Sequence, residues 1–188
     1  MIKSTLRHRF IAIGLFSSVA AIATPAAAEV MVGGAAMLPT QNIVQNASKS
    51  ADHTTLVAAV KAAGLVETLQ SKGPFTVFAP TNAAFSKLPA GTVDTLLKPE
   101  NKAALTNVLT YHVVPGRISA ADLSQQIVQA GGLATLKTAA GGTLSAKFQG
   151  DNVVLTDEKG GSATVTVANV FQSNGVVHVV DQVLLPNS

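Results

Sequence analysis

Glycine-containing turns divide the second half of the chain into short strand-forming runs. Five runs rich in Val, Leu, Thr and Ala lie between residues 133 and 185, and pairs such as Gly131-Gly132 and Gly141-Gly142 separate them. Such runs between glycine turns are typical of strands joined by hairpins, so the pattern predicts a meander of antiparallel strands. The predicted strands are LATLKTA (133–139), TLSAKFQ (143–149), NVVLTD (152–157), ATVTVANV (163–170) and VVHVVDQVLL (176–185).

The preceding part of the chain has the spacing of helices. In the segment 52–64, apolar residues recur on one helical face and Gly64 marks the end of the helix. Helices before a set of antiparallel strands indicate an α+β fold, with an N-terminal helical cluster followed by the antiparallel strands. The other predicted elements are helices at 65–70, at 81–85 and within 89–111, and a strand at 75–79.

The last predicted strand contains two polar residues that invite comparison with a catalytic pair. Side chains alternate between the two faces of a strand, so His178 and Asp181, three residues apart, point in opposite directions. Both faces are otherwise largely apolar, which is typical of a strand buried on both sides. We therefore expect His178 to be a hydrogen-bonded core residue and not the partner of Asp181.

The first 28 residues have the three parts of a secretory signal. A basic start precedes an apolar run from Phe10 to Ile22, and the segment ends in Ala26-Ala27-Ala28. We expect cleavage after Ala28 and a secreted or periplasmic product; an uncleaved signal would instead anchor the protein in a membrane. Residues 29–38 are then a short mature tail, and 39–186 form one domain.

Charge and cysteine content exclude several classes of function. The basic residues Lys3, Arg7 and Arg9 leave with the signal, so ten basic and ten acidic residues remain. This balance gives no basis for nucleic-acid binding. The chain has no cysteine, which excludes disulfides and thiol catalysis.

The histidines and serines do not form a recognisable catalytic or metal-binding motif. His53 lies beside a helix cap, where we expect it to be solvated, and His112 ends a helix, a position that favours a cationic imidazole. The sequence contains neither HExxH nor GxSxG. We predict no catalytic residue, no metal and no cofactor.

Three separate blocks of sequence resemble the fasciclin (FAS1) domain family, in the order and spacing of that family. They are GPFTVFAPTNAAF (73–85), which includes Thr81, Asn82 and Phe85; the pair Tyr111-His112; and NGVVHVVD (174–181), which includes His178 and Asp181. The resemblance extends over about residues 39–186. It implies a helical part packed on a wedge of antiparallel sheet.

The resemblance also implies a function without catalysis. It indicates an extracytoplasmic cell-adhesion or interaction module whose partner is a cell-surface or matrix protein or glycan. It implies that His112 bonds within the fold to Thr81 or Asn82. Some animal members bind integrins through the Tyr-His region and an acidic residue; here the acidic position holds Asn169, a poorer metal ligand. A single domain adheres weakly unless it forms a weak homo-oligomer.

Alternatives remain open at two points. The protein is an adhesion module, an exported hydrolase that uses His112 as a base, or a structural envelope protein. Tyr111, the only tyrosine, lies where a helix meets Pro115-Gly116. We predict that it contributes to an exposed partner-binding surface with His112 and Asn169. The alternative is that Tyr111 packs in the core as a buried aromatic residue.

Overall fold

The structure, a computed structural model, describes residues 29–187 and contains seven α-helices and nine strands in that range. The predicted signal at 1–28 lies outside the described residues. Two short 3-10 helices, Ala51–His53 and Pro99–Asn101, precede α2 and α6. The helices are α1 (Ile43–Ala47), α2 (Thr54–Ala63), α3 (Val66–Gln70), α4 (Asn82–Ser86), α5 (Thr92–Leu96), α6 (Lys102–Tyr111) and α7 (Ala120–Gln129). The strands are β1 (Val30–Val32), β2 (Ala35–Met37), β3 (Phe75–Pro80), β4 (Val113–Pro115), β5 (Leu133–Lys137), β6 (Thr143–Gln149), β7 (Asn152–Thr156), β8 (Ser162–Gln172) and β9 (Gly175–Val180).

Seven strands form one sheet in the order β4-β3-β9-β8-β7-β6-β5. The run from β5 to β9 is the predicted antiparallel meander. The pair β3 and β9 is parallel, so the sheet is mixed and differs at this one pair from the predicted antiparallel sheet. Parallel neighbours need a long connection, and here most of the domain lies between the two strands.

Strand β9 separates two hydrophobic cores and is buried along its whole length, as predicted. Val177 and Val179 face the first core, between the helices α1, α2 and α6 and the sheet. Val180 faces the second core, which α7 closes over β5, β6 and β7. Strand β3 also contributes to both cores, with Val77 in the first and Phe78 in the second.

The segment predicted as a tail forms a β-hairpin, so the prediction for residues 29–38 is wrong. Strands β1 and β2 pair antiparallel, and Gly33 and Gly34 supply the turn with φ values of 57° and 76°. Paired residues with positive φ are what a tight hairpin turn requires. Val32 and Met37 are buried in the first core, so the hairpin packs on the domain.

Two further elements differ from the prediction. Helix α7 was not predicted, and Gly131-Gly132 links it to β5 instead of forming a hairpin turn. The last strand ends at Val180, and residues 181–185 continue without strand pairing. None of the helices within residues 29–187 has the length and apolarity needed to cross a membrane.

Candidate interaction site

Tyr111, predicted at the surface, lies in the second core with no exposed area. Its hydroxyl donates to the Thr143 carbonyl at 2.6 Å and accepts from the Glu158 N–H at 3.2 Å. Its ring packs so closely on Gly142 that a Cβ there would come within 2.8 Å of Cε2. Burial raises the pKa of Tyr111. The prediction of an exposed tyrosine is therefore wrong, and the alternative of a core aromatic is confirmed.

His112 is buried at the C-terminal end of α6 and, among the described residues, bonds to backbone groups alone. Nδ1 lies 2.8 Å from the Val108 carbonyl oxygen, and Nε2 accepts from the Leu184 N–H at 3.0 Å. The expected bond to Thr81 or Asn82 is not formed, because the ring turns back onto its own helix and the C-terminal segment passes over it. Burial lowers the pKa of His112 to about 4, against a smaller opposing effect of the Val108 carbonyl and the charge of Asp157.

This environment decides the protonation state of His112. Desolvation outweighs the helix C-terminus, so the imidazole is neutral near pH 7 and the expectation of a cation is wrong. With Nε2 accepting a backbone proton, Nδ1 must carry the ring hydrogen that binds Val108. A general base needs a free ring nitrogen beside a nucleophile, and both nitrogens of His112 are engaged.

Thr81, Asn82 and Phe85 hold the start of α4 against α2. The Thr81 hydroxyl caps α4 by accepting from the Ala84 N–H at 3.2 Å. The Asn82 side chain accepts from the Thr55 N–H at 3.0 Å and donates to the Ala51 carbonyl at 2.8 Å. Phe85 is buried in the first core. In this arrangement the three side chains connect elements of the fold.

Asn169 fixes the beginning of α7. It occupies a left-handed backbone conformation with φ 59°, within the irregular part of β8 between Val167 and Val170. Its Oδ1 accepts from the Ala120 N–H at 2.7 Å, and its own N–H lies 3.4 Å from Nδ1 of His178. The side-chain oxygen that would face a partner is therefore bound to the first turn of α7.

His178 and Asp181 are not partners, since His178 lies within β9 and Asp181 follows the end of that strand. His178 is buried, stacks on Phe78 with ring centroids 5.7 Å apart, and donates from Nε2 to the Ile118 carbonyl at 2.9 Å. Burial lowers the pKa of His178. Asp181 lies at the rim, where it accepts from the Thr164 N–H at 2.7 Å. The prediction of a hydrogen-bonded core histidine is confirmed.

His53, expected to be solvated, is buried beneath α2. Its Nδ1 lies 2.9 Å from the Ser50 hydroxyl, and its Nε2 makes no hydrogen bond within residues 29–187. Burial lowers the pKa of His53, against smaller opposing effects of the Ala79 carbonyl and the Asp52 charge. The Ala79 carbonyl lies near the ring but does not complete a hydrogen bond to Nε2. The expectation of a solvated ring is wrong because the turn at 51–53 directs it inward.

An arginine stacked on an exposed phenylalanine forms the most distinctive surface feature near Asn169. The Arg117 guanidinium carbon lies 5.5 Å from the centre of the Phe171 ring, which is 42% exposed. Nη2 of Arg117 also donates to the carbonyls of Gln172 and Gly175, at 2.8 and 3.1 Å. These bonds hold the guanidinium over the ring, and its remaining N–H groups have no partner among residues 29–187.

Sequence reasoning did not identify Arg117 and Phe171. Strand alternation is the signal that assigns a residue to a sheet face, but the register of β8 shifts between Val165 and Val170. The two shifts cancel, so alternation still assigns Phe171 to the same face as Val165, but it does not reveal the contact with Arg117. Its pairing with Arg117 depends on the return of the chain after β4.

Comparison with known sequences identifies relatives of most of the chain. The model of the family described as Fasciclin domain matches residues 51–186. The Synechocystis protein sll1483 is 53% identical over 156 residues, which cover 83% of this chain and 79% of that protein. The immunogenic protein MPB70 of Mycobacterium bovis is 39% identical, and the match covers 98% of each chain.

Among solved structures, a FAS1 domain pair from the insect cell adhesion molecule fasciclin I has the same fold. The TM-score is 0.67 at 18% identity, and the match covers 77% of this chain and 51% of that chain. The present chain therefore spans about half the length of the insect domain pair. This likeness concerns the fold, and it confirms the predicted α+β class.

Proposed function

Because the chain belongs to the fasciclin domain family, we propose that it is a non-enzymatic adhesion or interaction module that works outside the cytoplasm. The partner class we propose is a cell-surface or matrix protein or glycan, and the proposed location is secreted or periplasmic. The similar insect structure comes from a cell adhesion molecule, which supports this class of function. The signal pattern at residues 1–28 supports export.

The environment of His112 is the observation that argues against a hydrolase. A hydrolytic histidine must accept a proton from serine or water and then release it. His112 is buried, and its two nitrogens bind the Val108 carbonyl and the Leu184 N–H. Proton uptake at Nε2 would break the bond to Leu184 and place a charge in the core. His112 therefore serves the fold in this proposal.

We place the contact surface at Arg117 and Phe171. The burial of Tyr111 and His112 keeps their side chains from a partner, so contact through that pair would require the fold to open. Arginine and aromatic residues are enriched where protein interfaces have their largest energetic contributions. Arg117 is already held by two carbonyls, so little side-chain entropy remains to be lost on binding.

The chemistry of this surface suits a partner that offers an acceptor beside an apolar group. The free N–H groups of Arg117 can donate to a carboxylate or carbonyl, while Phe171 supplies an apolar ring. Asn169 adds no carboxylate, and its oxygen is bound to Ala120. We therefore propose contact by stacking and hydrogen bonding, without a bridging metal ion.

The proposal is tested by capture of cell-surface material on the immobilised exported protein. We expect wild type to retain material from cells of the source organism, and Phe171→Ser to retain at least threefold less, since truncating an interface anchor costs about 1 kcal/mol or more. The matched control is Leu133→Ser, because Leu133 is 52% exposed on the edge strand β5. Equal loss in both variants would contradict the assigned surface, and no retention by wild type would contradict the function.

A further inference from the structure

A cavity of about 60 Å³ lies inside the first core, between the helical layer and the sheet. The hairpin β1-β2 and helix α1 cover one side of it, helices α2 and α3 form another, and strands β3 and β9 form its floor. Its walls are almost wholly apolar, with Ile43, Leu56 and Val177 among the residues that line it. Native cores contain few voids larger than a water molecule, so a cavity of this size in a packed core is unusual.

The cavity reaches the surface between α1, α2 and α3. Ala47, Val57 and Val66 line it and are only half-buried, and Lys61 lines it and is exposed. Lys61 is the only lining residue with a fixed charge, and it makes no ion pair within residues 29–187. An apolar interior with one cation at its opening is complementary to a molecule that has an alkyl tail and an anionic head.

We propose that this cavity binds a carboxylate amphiphile, with its alkyl tail among the core side chains and its carboxylate at Lys61. Neither Arg117 nor Phe171 lines this cavity, and the proposal does not depend on the proposed adhesion function. The tail displaces no protein hydrogen bond, because the walls offer it apolar side chains. The carboxylate stays at the solvent boundary, where an ion keeps most of its hydration.

The volume sets the length of the tail. One water-sized position needs roughly 10–15 Å³ of such space, so the cavity offers about four to six positions. A methylene group occupies about as much space as a water molecule, which gives a buried tail of about four to six carbons. We expect affinity to increase about fourfold for each methylene until the cavity is filled, and then to level off.

The test is calorimetric and NMR titration of the exported protein with butanoate, hexanoate, octanoate and decanoate. We expect affinity to rise most from butanoate to hexanoate, to level off at octanoate and to gain little with decanoate, with chemical-shift changes in α1, α2 and β9. The absence of binding by octanoate would overturn the proposal. Affinity that continues to rise with chain length, with shifts spread over the surface, would also overturn it by indicating non-specific adsorption.

Two variants and one charge control test the contact of the carboxylate with Lys61 and the binding of the alkyl tail in the cavity. Lys61→Glu should weaken octanoate binding by about threefold to tenfold and leave binding of octan-1-ol unchanged. Lys147→Glu, an equal charge change at an exposed position on β6, should leave both unchanged. Ala47→Phe should fill the opening and abolish binding of both molecules. Equal effects of the two lysine variants, or undiminished binding by folded Ala47→Phe, would overturn the assignment of the site.

Discussion

The buried, neutral state of His112 predicts that acid destabilises this protein well above the pH at which carboxylates titrate. The folded-state pKa is about 4, below the ordinary value near 6.5. The unfolded chain therefore binds a proton that the folded protein excludes. The stabilisation is fully present above pH 6.5 and is lost as the pH falls from 6.5 through 4.

The size of the effect follows from the two pKa values. Between pH 7.5 and pH 5, His112 alone accounts for a loss of about 2 kcal/mol in the free energy of unfolding. That is a substantial fraction of the roughly 5–15 kcal/mol typical of a domain. His53 and His178 have lowered pKa values for the same reason and add to the loss.

The assay is urea unfolding of wild type and His112→Gln at pH 7.5 and pH 5. The variant keeps His53 and His178, so the difference between the two pH-dependent losses isolates His112. We expect the variant to lose about 2 kcal/mol less than wild type over this range. An NMR titration of the His112 ring in the wild-type protein provides an independent reading. Equal losses in the two proteins, or a ring pKa near 6.5, would show that His112 is not held neutral by burial.

Three further predictions concern the core and the export signal. Tyr111→Phe should lower the free energy of unfolding by about 1–2 kcal/mol, because it removes the bonds to Thr143 and Glu158. Cell-surface capture should not change. Unchanged stability in urea would place the hydroxyl in solvent. His178→Ala should cost about 1–3 kcal/mol through loss of the Phe78 stack and the Ile118 bond, and an unaltered melting temperature would argue against its burial. Intact mass should place the mature N-terminus at Glu29, whereas a product that keeps Phe10 to Ile22 would be membrane-anchored.

The features that could be predicted from the sequence depend on local patterns. Gly64 ends α2 in a left-handed conformation with φ 73°, as a helix-ending glycine does. The apolar residues on both faces of the strand around His178 correctly predicted that His178 is buried. The motif blocks gave the correct family and fold class because they are short stretches with fixed internal spacing.

The features that were not predicted depend on contacts between distant parts of the chain or, for α7, on a helix-capping pattern. His112 bonds to Leu184, and residues 142–143 and 158 cover Tyr111. A periodic pattern within one segment cannot predict contacts between such distant residues. The parallel pairing of β3 with β9 is similarly long-range. Helix α7 had a readable signal, since Ser119 and Asp122 form a capping box at its start.

We propose that the Tyr-His region supports the fold while the exposed Arg117–Phe171 surface makes the contact. The most direct measurement is attachment of source-organism cells to surfaces coated with equal amounts of folded wild type, His112→Gln or Phe171→Ser at pH 7.5. We expect His112→Gln to attach cells as wild type does and Phe171→Ser to attach at least threefold fewer. Attachment lost with His112→Gln and retained with Phe171→Ser would instead place the contact at the Tyr-His region.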